Sequence, residues 1–215
     1  MSDDKHLKQA VLDELKWEPS VNAAHIGVTA QDGVVTLMGS VETYAEKHAA
    51  ETATLRVKDV KAVAEEIEVK LPFDVKHGDS EIAAAAVERL SWSVSVPKDA
   101  VKVTVSKGWV TLTGIVHWHY QQAAAADAVR TLWGVTGVSN QVTIKPQANA
   151  GNIKVDIMSA LHRSWFSPDN ISVTAHDGRV TLTGKVEYWD ERALAATTAW
   201  AAPGVTSVVN DIWVA

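Results

Sequence analysis

The chain contains no cysteine. That excludes a disulfide framework, a thiolate zinc site and a cysteine nucleophile. No stretch approaches the roughly 18 consecutive apolar residues that a membrane-spanning helix needs. Basic residues are in deficit, 20 against 26 acidic, for a net charge of −6. Non-specific nucleic-acid binding depends on neutralising phosphates, so that partner class is disfavoured. Glycine (12) and proline (6) are sparse, which excludes collagen-like and low-complexity structure. The first residues, Met1-Ser2-Asp3-Asp4-Lys5-His6, lack the basic-then-apolar layout of a secretory leader. The expected location is therefore cytoplasmic, or periplasmic if a leader has been removed. What remains, 47% hydrophobic and 21% charged residues in 215, is the composition of a folded globular protein.

Internal repetition dominates what is present. Asp32-Gly33-Val34-Val35-Thr36-Leu37-Met38-Gly39 recurs as Lys107-Gly108-Trp109-Val110-Thr111-Leu112-Thr113-Gly114 and as Asp177-Gly178-Arg179-Val180-Thr181-Leu182-Thr183-Gly184. A second landmark, Val60-x-x-Val63, returns at Val135-x-x-Val138 and Val205-x-x-Val208. Both landmarks repeat at offsets of 75 and then 70 residues, so three copies keep register without a gap between the landmarks. The domains are expected at residues 1–71, 76–146 and 150–215. They are joined by the short proline-bearing connectors Leu71-Pro72-Phe73-Asp74 and Lys145-Pro146-Gln147-Ala148-Asn149.

Each copy reads as helix, strand, strand, helix, strand. The first helices are expected over Leu7–Trp17, Ile82–Leu90 and Ile153–Trp165; Leu7, Val11 and Leu15 share one helical face. Asp32-Gly33, Lys107-Gly108 and Asp177-Gly178 suit two-residue hairpin turns, where glycine supplies the positive φ. With those turns, Ala30 opposes Val35, Val28 opposes Leu37 and Ile26 opposes Gly39, which leaves Thr29 and Thr36 on the polar face. Gly39, Gly114 and Gly184 then lie on inner strand faces, where the expected reason for glycine is close approach of a helix backbone. The second helix opens at Thr43-x-x-Glu46, a capping box, and is rich in alanine. The fold class is α+β: three tandem two-layer αββαβ domains, each a three-stranded sheet covered by two helices on one face. A core this small supplies only about 3–5 kcal/mol, so docking between copies is expected.

The Gly-x-Val-x-Leu-x-Gly core, the alanine-rich helix and the closing Gly134-Val135-Thr136-Gly137-Val138-Ser139-Asn140 and Gly204-Val205-Thr206-Ser207-Val208-Val209-Asn210 resemble the BON domain, a module of bacterial osmotically inducible and nodulation proteins. The first copy departs from the pattern, with Asp59 and Glu65 in place of the glycine and the asparagine. The resemblance spans essentially the whole chain. It implies a non-catalytic module associated with envelope stress and proposed to bind phospholipid. For some cytoplasmic relatives it implies potassium held by backbone carbonyls, which would be the one cofactor; a carbonyl site leaves no side-chain signature.

The residues themselves argue against catalysis. There is no Gly-x-Ser-x-Gly elbow, phosphate-binding loop or dinucleotide fingerprint. Asp32 and Asp177 occupy turn positions, and Lys107 replaces them in the second copy. For a metal, His117-Trp118-His119 places two imidazoles at i, i+2, which in an extended segment would face the same side, but a third ligand would have to come from elsewhere, no other copy has the pair, and the alternative is exposed loop histidines. The nine tryptophans divide by position. Trp17, Trp92 and Trp165, near the ends of the first helices, are assigned to core packing. Trp109 and Trp213 fall on the polar sheet faces. Trp118, His119, Tyr188 and Trp189 lie at the strand-to-helix junction. Amphipathic rings suit wet interfaces, so these last six are the candidate contact residues for phospholipid, a protein partner or a second copy in a homo-oligomer. The alternative is burial between the copies. Divided at the connectors, the copies carry net charges of −5, +1 and −2. That repels the first from anionic lipid and makes the second the better candidate.

Overall fold

The computed structural model describes residues 2–72, 77–146 and 152–214. The connectors fall largely outside the described residues. In the first module the order is α1 (Ser2–Trp17), β1 (Ile26–Gln31), β2 (Val34–Val41), α2 (Tyr44–Arg56) and β3 (Ala62–Val69), with a short 3-10 turn, Ala23–His25, leading into β1. The second has α3 (Asp79–Trp92), β4 (Val101–Ser106), β5 (Trp109–Val116), α4 (His119–Arg130) and β6 (Gly137–Ile144). The third has α5 (Ile153–Leu161), β7 (Ile171–His176), β8 (Arg179–Val186), α6 (Trp189–Ala201) and β9 (Ser207–Val214). Each sheet has three strands in sequence order. In the first and third the hairpin is antiparallel and the closing strand pairs parallel to the central one. The α+β class and the repeated αββαβ order are as the sequence indicates.

The hairpin register follows from the turn. Asp32, Lys107 and Asp177 have φ of 52°, 52° and 49°, and Gly33, Gly108 and Gly178 follow at 86°, 76° and 79°. Two left-handed residues give the turn whose twist matches paired strands, and Ile26 opposes Gly39, Val28 opposes Leu37 and Ala30 opposes Val35. Val28, Val35, Leu37 and Ile67 then join Leu7, Val11 and Leu15 of α1 and Ala50 and Ala53 of α2 in one buried cluster. The alanines let α2 lie close to the sheet. The third module repeats the cluster with Ile157, Leu161, Val180, Leu182, Ala195 and Ala199.

By contacts the described chain divides into two units that cut across the repeats. One comprises Met1–Arg89, Val103–Thr111 and Asp127–Ser139; the other comprises Leu90–Lys102, Leu112–Ala126 and Asn140–Ala215. Each unit thus joins one terminal module to part of the middle one.

Two expectations are corrected. The glycines at 39, 114 and 184 do face backbone, but not that of a helix. A β-carbon on them would collide with the carbonyl oxygens of His25, Ala100 and Asn170, the residues that lead into the first strand of each hairpin. Their φ values of 126°, 144° and 131° are open only to glycine. The third first-helix ends at Leu161, four residues before Trp165. There the Ser164 backbone N–H and hydroxyl both donate to the Leu161 carbonyl, and Arg163 N–H donates to Ala160 O at 3.2 Å. These i→i−3 bonds tighten the chain out of the α-helix. Conversely, α1 and α3 begin before their first apolar residue, because Asp3, Asp4, Asp79 and Glu81 favour the positive end of the helix dipole.

Candidate functional site: aromatic faces and module junctions

Trp17, Trp92 and Trp165 are not core residues: they are 82%, 79% and 68% exposed. Helix geometry explains the correction. The buried stripe of α1 is Leu7, Val11 and Leu15, and that of α3 is Ile82, Ala86 and Leu90. Trp17 and Trp92 each come two residues after the last of these, about 200° around the helix, and so project away from the sheet. Trp165 lies beyond its helix. Its neighbour Phe166 is buried instead and meets Trp165 edge-on with centroids 5.6 Å apart. A helical wheel extended by two residues past Leu15 and Leu90 carries this signal.

On the outer sheet faces, Trp109 is 51% and Trp213 62% exposed. The Trp109 ring lies on the backbone of Gly137, at the start of β6, where any β-carbon would collide with it. Trp213 pairs with Lys185 across the parallel strands, and the ammonium sits 5.3 Å from the ring centroid.

The strand-to-helix junction is built alike three times. The Glu46 carboxylate accepts from Glu42 N–H at 3.1 Å, while Thr43 Oγ1 accepts from Glu46 N–H at 3.1 Å. Gln121 Oε1 accepts from His117 and Trp118 N–H at 2.9 and 3.1 Å, and Glu191 Oε2 from Glu187 and Tyr188 N–H at 2.9 and 3.2 Å. In each module the side chain at this position reaches back to the N–H groups that lead into the helix. Tyr188 is 61% exposed; Trp118, His119 and Trp189 are half-buried. His119 stacks on Trp200 with centroids 4.0 Å apart and planes 13° apart, and burial holds its pKa below the usual histidine value. Trp189 carries the Arg192 guanidinium 5.0 Å from its ring. Tyr44, at the matching place in the first module, hydrogen-bonds the backbone of Val138, and burial raises its phenol pKa.

His117 and His119 do not form an extended i, i+2 pair. The strand ends at Val116 and α4 begins at His119, so the segment is not extended, and His119 is engaged with Trp200. Among the described residues no group of three or more His, Asp or Glu side chains could hold a metal ion.

Sequence reasoning left the closing asparagine without a role. Asn140 Nδ2 donates to Gln122 O at 2.7 Å and its Oδ1 accepts from Val142 N–H at 3.3 Å. Asn210 does the same with Arg192 O and Ile212 N–H at 3.1 and 3.2 Å. In return Gln122 donates to Val142 O and Arg192 to Ile212 O. The first module substitutes an ion pair: Lys47 donates to Ile67 O at 2.7 Å and lies 3.7 Å from Glu65, whose pKa burial raises. The second helix is thus clamped to the closing strand in all three modules. Asp59 likewise stands where Gly134 and Gly204 do because all three adopt positive φ, 70°, 86° and 85°.

Against known proteins, the family profile described as the BON domain matches residues 3–70, 78–146 and 149–215. Osmotically-inducible protein Y of Escherichia coli (strain K12) is 27% identical over 150 residues, 66% of this chain and 73% of that protein. Among solved structures, CdsD, a structural protein of the type III secretion system of Chlamydia trachomatis, aligns over 96% of this chain and 91% of its own with 17% identity and a TM-score of 0.26. A second structure, of its C-terminal domain, aligns over 97% of each chain at 17% identity and 0.25.

Proposed function

The chain belongs to the BON domain family, and from that premise we propose that it is a non-enzymatic, stress-associated binding protein. Its three modules, at residues 1–71, 76–146 and 150–215, present tryptophans to a phospholipid surface. The observation that carries this reading is the display of Trp17, Trp92 and Trp165, one per module near the end of the first helix, at 82%, 79% and 68% exposure. An indole left in water is costly, whereas at the level of lipid headgroups its apolar body and polar N–H are both accommodated. Trp109 and Trp213 on the outer sheet faces and Tyr188 at the third junction would extend the contact. The osmotic induction in the relative's name supports the stress association.

The test is co-sedimentation with phosphatidylethanolamine–phosphatidylglycerol vesicles, following tryptophan fluorescence. Wild type is expected to bind with a blue shift, more tightly as salt screens the net charge of −6. A W17A/W92A/W165A variant should keep its melting temperature, since the rings make few contacts, and lose binding by at least about tenfold. Equal binding by the variant, or no binding by wild type, overturns the proposal. So does a fluorescence response to potassium that sodium at equal ionic strength and vesicles both fail to produce.

A further inference from the structure

Successive modules meet through equivalent positions. Tyr44, His119 and Trp189 are the same residue of the repeat, the first of the second helix, and Leu55, Arg130 and Trp200 are another, near that helix's end. Within the chain the first kind of residue meets the second kind in the next module. His119 stacks on Trp200. Tyr44 hydrogen-bonds Val138 and lies in the field of Arg130. Thr43, Ala45 and Leu71 share a crevice with Arg130, Leu132 and Trp133, and one turn along α2 His48 is within the influence of Arg130 and Asp127.

Two members of these sets are left over, Trp189 and Leu55, and their surroundings are open. Leu55 is 37% exposed, whereas Arg130 and Trp200 are half-buried. Tyr188 and Ala193 are exposed, whereas Trp118 and Ala123, and likewise Thr43 and His48, are half-buried. We propose that the third module of one chain docks on the first module of another, with the Trp189 end of α6 against the Leu55 end of α2, repeating between chains the junction that joins modules within one. The occupant is a second copy of this chain, because the proposed contact continues a junction already made twice by the same repeat positions. Such a contact uses two different surfaces, so it is head-to-tail and propagates through further copies or closes a ring.

The chain's lack of cysteine makes the test clean. Leu55→Cys and Trp189→Cys variants of the full chain are treated with a short bis-maleimide, each alone and as a mixture. Cross-linked dimer appearing in the mixture well above either single variant supports the proposal. Trp189→Cys cross-linking to itself alone shows a symmetric contact and overturns it. Independently of whether the cysteine variants fold, light scattering of wild type between roughly micromolar and millimolar concentration should show rising mean mass, and Leu55→Glu should suppress the rise. A mass that stays monomeric across that range, with no cross-link, overturns the proposal as well.

Discussion

Replacing Asn210 by alanine isolates the clamp between the second helix and the closing strand. The wild-type amide donates to Arg192 O at 3.1 Å and accepts from Ile212 N–H at 3.2 Å. Ile212 lies on β9, whose one strand partner among the described residues is β8, so its N–H loses the side-chain acceptor when the amide goes. Each lost bond is worth about 1 kcal/mol net, giving about 2 kcal/mol in all. Modules of one chain need not unfold together, so a single global midpoint is the wrong readout. Hydrogen exchange of peptides covering α6 and β9 reads the local opening free energy instead. There 2 kcal/mol corresponds to exchange accelerated about 30-fold. Asn210→Asp keeps the acceptor for Ile212 and sets a carboxylate near Arg192, an arrangement like that of Lys47 and Glu65 in the first module. It should recover about half the loss. If Asn210→Ala changes exchange of β9 by less than about threefold, the clamp does not stabilise the strand and the argument from repeated geometry fails.

Gly184→Ala should destabilise the third module by at least about 3 kcal/mol, because the new β-carbon meets the Asn170 carbonyl at a φ of 131°. Gly27→Ala, whose new β-carbon comes closest to the Met38 side chain, should cost less than about 1 kcal/mol, and equal acceleration of hydrogen exchange in the two variants' own modules would contradict the strain argument. His119 supplies a pH dependence. Burial lowers its folded pKa below 6.5, so the unfolded chain binds the proton more tightly. The stabilisation is complete above about pH 6.5 and is lost as the pH falls through the folded value. Proton NMR should find the His119 midpoint below 6.5, with Trp200 fluorescence changing in the same interval; a midpoint at or above 6.5 would refute burial as the controlling term.

Most of the fold could be read from residues 26–39 and their two repeats. A two-residue glycine turn fixes register, and alternating Val, Leu and Thr fix which face is buried, both strictly local effects. The errors arise where local pattern gives out. Trp17 and Trp92 look like core residues by composition, and only their angular position on the helix sets them outside. Gly39 signals close approach, and the approaching carbonyl, that of His25, adjoins the Ile26 that the register sets opposite it, but a pattern of buried and exposed side chains does not show which backbone carbonyl turns inward. Ser164 ends α5 through a side-chain hydrogen bond that a hydrophobic periodicity does not register. The stacking of His119 on Trp200 depends on how one module meets the next, for which the sequence of a single repeat holds no pattern. The clamp at Asn140 and Asn210 was visible as a repeated residue, yet its partners are carbonyl and N–H groups that every sequence possesses.

The contact of Trp109 with Gly137 bears on how the chain avoids misassembly during synthesis. Three modules with the same strand order invite exchange, since β3, β6 or β9 could in principle add beside any central strand, and tandem repeats characteristically misfold this way. Beside Trp109, however, any β-carbon at the position of Gly137 would strike the indole. The matching residues of the other closing strands are Ala62 and Ser207, which face Val34 and Arg179 in their own sheets. Neither can take the place of Gly137 without displacing the ring. A neighbour's closing strand set beside Trp109 would have to displace the indole, a cost that the glycine of the native strand avoids.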